Sequence, residues 1–139
     1  MPAKDVFHHA VKSALIKDGW KITDDPLFIK PSTRISLYID IGGERAIGAE
    51  KDGQIIAVEI KSFLSMSPLA EFHTALGQFL NYMLALKLNQ PERILYLAIT
   101  EDTYRDFFSD PFIQLSVSTY QVKLLIFDPL EEVIVLWKN

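Results

Sequence analysis

The sequence predicts an α/β fold with a mixed central sheet, and three observations carry that prediction. Two apolar runs, Ile55 to Lys61 and Arg93 to Ile99, are separated by a long helical pattern. A connection of that length suits the right-handed crossover between parallel strands. Asp52-Gly53 stands between two strand-like runs, and this pair tolerates the positive φ that a two-residue hairpin turn requires. Val122 to Phe127 and Val133 to Trp137 flank Asp128-Pro129 and read as a terminal β pair.

The elements follow in order. From Lys4 to Asp18, Val6, Phe7, Ala10, Val11, Ala14 and Leu15 recur at helical spacing, and Gly19 supplies a stop. Asp5, His8 and Lys12 share another face of this helix, either as a solvated polar stripe or as groups that help to bind metal or phosphate. Short strands are expected at Trp20 to Ile22 and Leu27 to Ile29, separated by the turn Asp24-Asp25-Pro26. Ile35, Leu37, Ile39 and Ile41 alternate with Ser36, Tyr38 and Asp40, which predicts one strand with Asp40 on its less apolar face. Gly42-Gly43 then invites a bulge or bend.

Ser67 as N-cap and Pro68 in the first turn open a helix that runs to about Leu88. Its expected buried stripe is Leu69, Phe72, Leu76, Phe79, Leu80 and Met83, bordered by a second stripe of Glu71, Ala75, Gln78 and Tyr82. Asn89-Gln90-Pro91 ends it, and a strand over Arg93 to Ile99 leads into a short helix capped by Thr100. Phe112 to Tyr120 is expected to hold one or two helical turns.

Within the apolar strand, Glu59 and Lys61 stand at i and i+2 and so project from one face. Burying such charges costs several kcal/mol per ion unless they pair or hold a metal, roughly. If Asp52-Gly53 sets the register, Lys51 faces Gln54, Glu50 faces Ile55, Gly48 faces Ala57, Ala46 faces Glu59 and Glu44 faces Lys61. Small residues would then flank Glu59 and leave room for a ligand. One reading is an ion-pair network of Lys61 with Glu44. The other is a hard divalent cation, magnesium by donor preference, held by Glu59 with one or more of Asp40, Glu44 and Glu50. Lys61 would then orient or deprotonate the attacking water or neutralise charge on a phosphate, and the chemistry implied is phosphodiester hydrolysis.

Composition narrows the class. The 139 residues, 49% of them hydrophobic, suit one domain spanning 1–139. The absence of cysteine excludes a disulfide framework, thiolate metal sites and cysteine catalysis. A net charge of −4 argues against simple DNA coating but not against an enzyme whose acids recruit a cation. No leader pattern and no apolar run of about 18 residues is present, so a cytoplasmic protein without membrane attachment is expected. His8, His9 and His73 are too scattered for a transition-metal site, and neither a Gly-x-Ser-x-Gly elbow nor a phosphate loop occurs.

The order helix, Asp40, Glu59-Ile60-Lys61, then a helix carrying Gln78, resembles the PD-(D/E)XK restriction-endonuclease-like superfamily, whose core is αβββαβ. The segments Pro2-Ala3-Lys4-Asp5, Lys17-Asp18-Gly19-Trp20, Asp40-Ile41-Gly42, Ala57 to Phe63, Ala75-Leu76-Gly77-Gln78 and Pro91 to Ala98 resemble the XisH family more specifically. Its members are called fdxN-element excision controlling factors and occur chiefly in cyanobacteria. The resemblance implies a part in programmed excision of a DNA element in differentiating heterocysts, with DNA, a XisI-like companion factor and a site-specific recombinase as partners. It also implies a metal site of Asp40 and Glu59 taking Mg2+ or Mn2+, with Lys61 as catalytic lysine and Gln78 reaching in from the helix. For Asp40 to enter, Gly42-Gly43 must bulge; otherwise Glu44 takes its place. Two outcomes stay open, a Mg-dependent DNA endonuclease and a non-catalytic accessory module that binds a partner protein. A homodimer is the general expectation for a small domain acting on duplex DNA.

Overall fold

The computed structural model describes residues 5–45 and 53–139. Helix α1, His8–Lys17, buries Ala10, Val11, Ala14 and Leu15, as the stripe predicts, but it begins later than Lys4 and leaves Val6 exposed. Strand β1 spans Lys21–Asp24, β2 Leu27–Ile29, β3 Leu37–Ile39, β4 Ile41–Arg45 and β5 Gln54–Ile60. Helix α2, Pro68–Asn89, crosses to β6, Ile94–Thr100; α3 (Glu101–Asp106), α4 (Pro111–Thr119), β7 (Leu124–Asp128) and β8 (Val133–Lys138) complete the described chain. With the β2-β3 pair set aside as an insertion, the order α1, β1, β4, β5, α2, β6 is αβββαβ. Six strands form one mixed sheet in the order β1-β4-β5-β6-β7-β8, while β2 and β3 pair separately. As the crossover predicts, β5 and β6 run parallel, and the C-terminal strands β7 and β8 form an antiparallel pair.

Alternation along β5 sorts the core onto the two faces of the sheet. Ile56, Val58 and Ile60 join Val11, Leu15 and Trp20 under α1, whereas Ala57 joins Phe72, Ala75 and Phe79 under α2. Helix α2 opens as the sequence predicts, with the Ser67 hydroxyl accepting from the Ala70 amide at 3.2 Å. Its buried face is rotated from the expected stripe, however. Phe72, Ala75, Phe79 and Leu86 are inside, while Leu69 and Met83 are exposed. The rotation turns the expected border stripe, Ala75 with Gln78 and Tyr82, towards the sheet.

Two expectations are corrected here. The expected continuous strand Ile35 to Ile41 is broken at Asp40. Ile39 and Ile41 are both fully buried, but Ile39 belongs to the α2-side core and Ile41 to the α1-side core. Residues two apart in one flat strand share a face, so the chain must bend between them. The expected hairpin register also fails. Glu44 faces Ile55 and Arg45 faces Gln54, whereas the expected turn would have set Glu44 against Lys61. The observed register sets Ile41 against Val58 and Gly43 against Ile56, burying Ile41, Val58 and Ile56 completely. Burial over several pairs outweighs the preference of one dipeptide. Ala46, Gly48, Glu50, Lys51 and Asp52 lie outside the described residues.

No bulge is needed at Gly42-Gly43 on the β5 side, where pairing is regular. Gly42 has a different purpose. A Cβ there would stand 2.9 Å from both Arg93 Nη1 and Asp24 Oδ2. The bare backbone lets Arg93 reach the Ile56 carbonyl, to which Nη1 donates at 2.7 Å, and approach Asp24 at 3.8 Å. No helix among the described residues is long and apolar enough to cross a membrane.

Candidate metal centre

The register of β4 against β5, continued one residue past Ile41 and Val58, brings Asp40 opposite Glu59. Hydrogen bonds hold them there in both directions. The Ile60 amide donates to Asp40 Oδ2 at 2.7 Å, and the Asp40 amide approaches Glu59 Oε1 at 3.4 Å. The bend that lets Ile39 and Ile41 enter separate cores is thus what presents Asp40 to Glu59. Asp40, Glu59 and Lys61 are brought together, with Lys61 Nζ 3.9 Å from Glu59 Oε2.

Glu44 is not brought to this site. It lies on the exposed far half of β4 beside Lys21 and Ile55, so neither the Glu44–Lys61 pair nor a third ligand from Glu44 forms. The physical cause is the register, which places Asp40 where the shorter turn would have placed Ala46.

Glu59 is only 7% exposed and faces α2. Burial pushes its carboxyl up to about 8, the Asp40 carboxylate adds to the rise, and Lys61 opposes it. Two carboxylates face each other in a desolvated position with one lysine to offset them, and the native site therefore retains a proton that a cation could replace. Tyr82 on α2 is held to the same place. Burial, then the Glu59 and Asp40 carboxylates, push its phenol up to about 12. Gln78, one turn earlier, is partly buried and its Oε1 has no hydrogen-bond partner. Such an orphaned acceptor carries a desolvation cost that a ligand, a water or a cation could relieve.

Two further acids adjoin the site and were legible only in part. Asp5, in the turn before α1, has its carboxyl pushed up by burial, held back by the Phe7 amide and Lys61, and raised further by Asp40 and Glu71. Glu71 Oε2 accepts from the Phe63 amide at 2.5 Å. Phe63 has φ of 53°, a left-handed conformation uncommon for a residue with a side chain. Glu71 therefore fixes the turn that follows Lys61, while Phe63 seats its ring against Phe107 and Phe108. The i, i+4, i+7, i+11 stripe of Glu71, Ala75, Gln78 and Tyr82 was the signal that this side of α2 meets the site.

His8 and Lys12, which share the face predicted for them, meet Asp25 instead. His8 Nε2 donates to Asp25 Oδ1 at 2.7 Å and Lys12 Nζ to Oδ2 at 2.9 Å, so this part of the stripe pins the turn before Pro26 to α1. Asp25 is thus more than a turn residue.

The donor set suits a hard cation. Asp40 and Glu59 supply carboxylate oxygens, and magnesium is commonly held by one or two carboxylates with water completing its shell. Among the described residues no cluster of three or more His, Asp or Glu side chains is placed to hold a metal, so the set is the Asp40–Glu59 pair without Glu44.

The comparisons with known proteins agree on one family. The family model described as XisH protein matches residues 1–135. The crystal structure of an XisH family protein from Nostoc punctiforme PCC 73102 is 51% identical, covers 97% of this chain and all of that one, and superposes with a TM-score of 0.88. That of an fdxN element excision controlling factor protein from Anabaena variabilis is 49% identical, covers 98% of this chain and all of that one, with a TM-score of 0.86. No curated protein matches the chain. On a match of this extent, with two solved structures of about half-identical sequence sharing its fold, the chain belongs to the XisH family.

Proposed function

We propose that this chain is a DNA element excision controlling factor whose Asp40, Glu59 and Lys61 form a metal-dependent phosphodiester-hydrolysing site of the PD-(D/E)XK type. The observation that carries the proposal is the pairing of Asp40 with Glu59 on a buried sheet position, with Lys61 beside them. The excision role rests on family membership and on the name of the Anabaena variabilis protein.

The residues have separate tasks. Asp40 and Glu59 present oxygen donors for Mg2+ or Mn2+. A cation bound there would polarise a phosphoryl oxygen and lower the pKa of bound water. Lys61, tethered near Glu59, offers its ammonium to the non-bridging oxygens of a DNA phosphate as charge develops there. Gln78 supplies an acceptor from α2, and Tyr82 walls the site on the same side. Glu71 keeps the chain after Lys61 in its turn and so acts by positioning.

A second reading, an accessory module that binds a XisI-like factor or a recombinase without cutting, is favoured by the absence, among the described residues, of a group of three acid or histidine side chains placed to hold a metal. One experiment separates the two. Supercoiled and linear DNA are incubated with magnesium or manganese and wild type, Lys61→Ala or Glu59→Gln. Metal-dependent nicking by wild type, lost in both variants, is expected. Cleavage that survives Lys61→Ala refutes the assigned site. Absence of both cleavage and metal binding, with capture of a companion factor, establishes the accessory reading.

A further inference from the structure

The β2-β3 hairpin, which stands apart from the six-stranded sheet, has two unlike faces. Leu27, Ile29 and Ile39 are buried in the core under α2, on the side of the sheet that Glu59 faces. Alternation along the two strands turns Phe28 and Tyr38 the other way. These two are direct cross-strand partners with ring centroids 5.3 Å apart, yet Phe28 remains 49% exposed. Single exposed apolar residues are ordinary on a protein surface. Here one aromatic ring comes from each strand of a single ribbon, and Ile35 adds a further exposed apolar group beyond them.

The charge on the hairpin is of one sign. Between Pro26 and Ile39 the chain carries Lys30 and Arg34 and no acid, against a net charge of −4 for the whole. Both residues are exposed, and among the described residues neither makes a salt bridge. Lys30 follows Phe28 at i+2 and continues the outward alternation of β2. Arg34 stands in the connection between the strands, where the Ile35 amide donates to the Ser32 hydroxyl at 3.2 Å. A partner that neutralises this arm is an anion, and one that covers its aromatic pair has flat apolar faces. Unpaired nucleic acid combines the two, with phosphates for the cations and bases for the rings. An aromatic pair that only stabilised the hairpin would need neither cation.

We propose that the β2-β3 hairpin is an arm that binds single-stranded DNA, with bases stacked on Phe28 and Tyr38 and phosphates held by Lys30 and Arg34. The arm leads to the candidate centre, since Tyr38 precedes Asp40 by two residues, about 7 Å of extended chain. The choice of DNA rests on the phosphodiester-hydrolysing reading of Asp40 and Glu59, and the arm narrows that reading to a strand left unpaired beside the scissile phosphate. In a duplex the base faces are covered by their neighbours in the stack, so a duplex offers this arm its phosphates alone.

The test is fluorescence anisotropy of the full chain in the presence of a chelator, with a labelled oligothymidylate and a labelled duplex of the same length as probes. Phe28→Ala, with an unchanged melting midpoint, should weaken the single strand by about five- to a hundredfold, the usual effect of losing one stacked base, and leave the duplex within about twofold. Phe28→Trp should bind as wild type does, which separates stacking from a merely structural role. Lys30→Gln/Arg34→Gln should lower the slope of log affinity against log salt by about 1.4, the share of two phosphate contacts on a single strand. This double variant changes exposed side chains only and carries the test should Phe28→Ala lower the melting midpoint. Glu59→Gln should bind as wild type does. Arm-dependent binding without metal-dependent cleavage sinks the metal centre and supports the arm; cleavage with binding indifferent to Phe28, Lys30 and Arg34 sinks the arm alone. No binding of the single strand, or an equal loss for single strand and duplex in Phe28→Ala, also overturns the proposal.

Discussion

Glu59→Gln tests the candidate centre most directly, because the substitution keeps the shape of the side chain and its acceptor for the Asp40 amide while removing the charge. The folded-state pKa of Glu59 is raised from 4.5 to about 8 by burial and by Asp40. Between those values the native protein holds a proton that the unfolded chain has lost, so stability falls as pH rises through that window. At about 1.4 kcal/mol for each pH unit, full ionisation of Glu59 costs the native state at most about 5 kcal/mol. Urea denaturation in the presence of a chelator should therefore find wild type and Glu59→Gln within about 1 kcal/mol at pH 5. At pH 9 the variant should be the more stable by about 2 to 4 kcal/mol. Added magnesium or manganese should close the gap from the wild-type side, by about 2.7 kcal/mol at a hundred times the dissociation constant, and leave the variant unmoved. Parallel pH profiles would refute the claim that Glu59 carries a desolvated charge. Equal stabilisation of both proteins by the cation would refute its place as a ligand.

Three other outcomes follow from the same geometry. Asp40→Ala leaves the Ile60 amide without its acceptor and should cost about 1 to 3 kcal/mol in urea denaturation, even where no metal is present. Gly42→Ala sets a Cβ against the Arg93 guanidinium and the Asp24 carboxylate, 2.9 Å from each, and should lower stability by about 1 to 3 kcal/mol; an added Arg93→Ala should recover less than its own loss, because the two effects overlap. At Asp25, burial pushes the carboxyl up, but Lys12 and His8 more than offset it and leave it below its ordinary value. Its contribution is therefore present above the unfolded carboxylate pKa and lost as pH falls through the lower folded one. Asp25→Asn should flatten the acid limb of a melting-temperature profile, and an unchanged limb would exclude the triad with His8 and Lys12 as its source.

What could be read from the sequence divides along the line between local chemistry and long-range register. Ser67-Pro68 and Thr100 each start a helix where capping rules place one, because a cap is decided within four residues. The crossover from β5 to β6 was legible for a similar reason, since a long helix between two apolar strands has few ways to return. The partner of Glu59 was not. Asp52-Gly53 is a local signal for a short turn, yet the pairing is settled by which residues of β4 and β5 bury together over several positions. An even-numbered slip keeps every side chain on its face, so alternation could not expose the error.

The consequence reaches the chemistry. Under the short-turn register Asp40 could enter only through a bulge and Glu44 was its rival; under the observed one Asp40 faces Glu59 by ordinary pairing, and Glu44 is carried to the exposed end of the strand. Ile39 and Ile41 held the missing information. Two fully buried isoleucines on either side of an aspartate look like one alternating strand, but they serve opposite cores, and the aspartate between them marks the turn from one to the other. A polar residue at such a crossing is half-buried and takes partners from the neighbouring strand. Asp40 takes the Ile60 amide and, with it, the proximity to Glu59 on which the candidate centre rests.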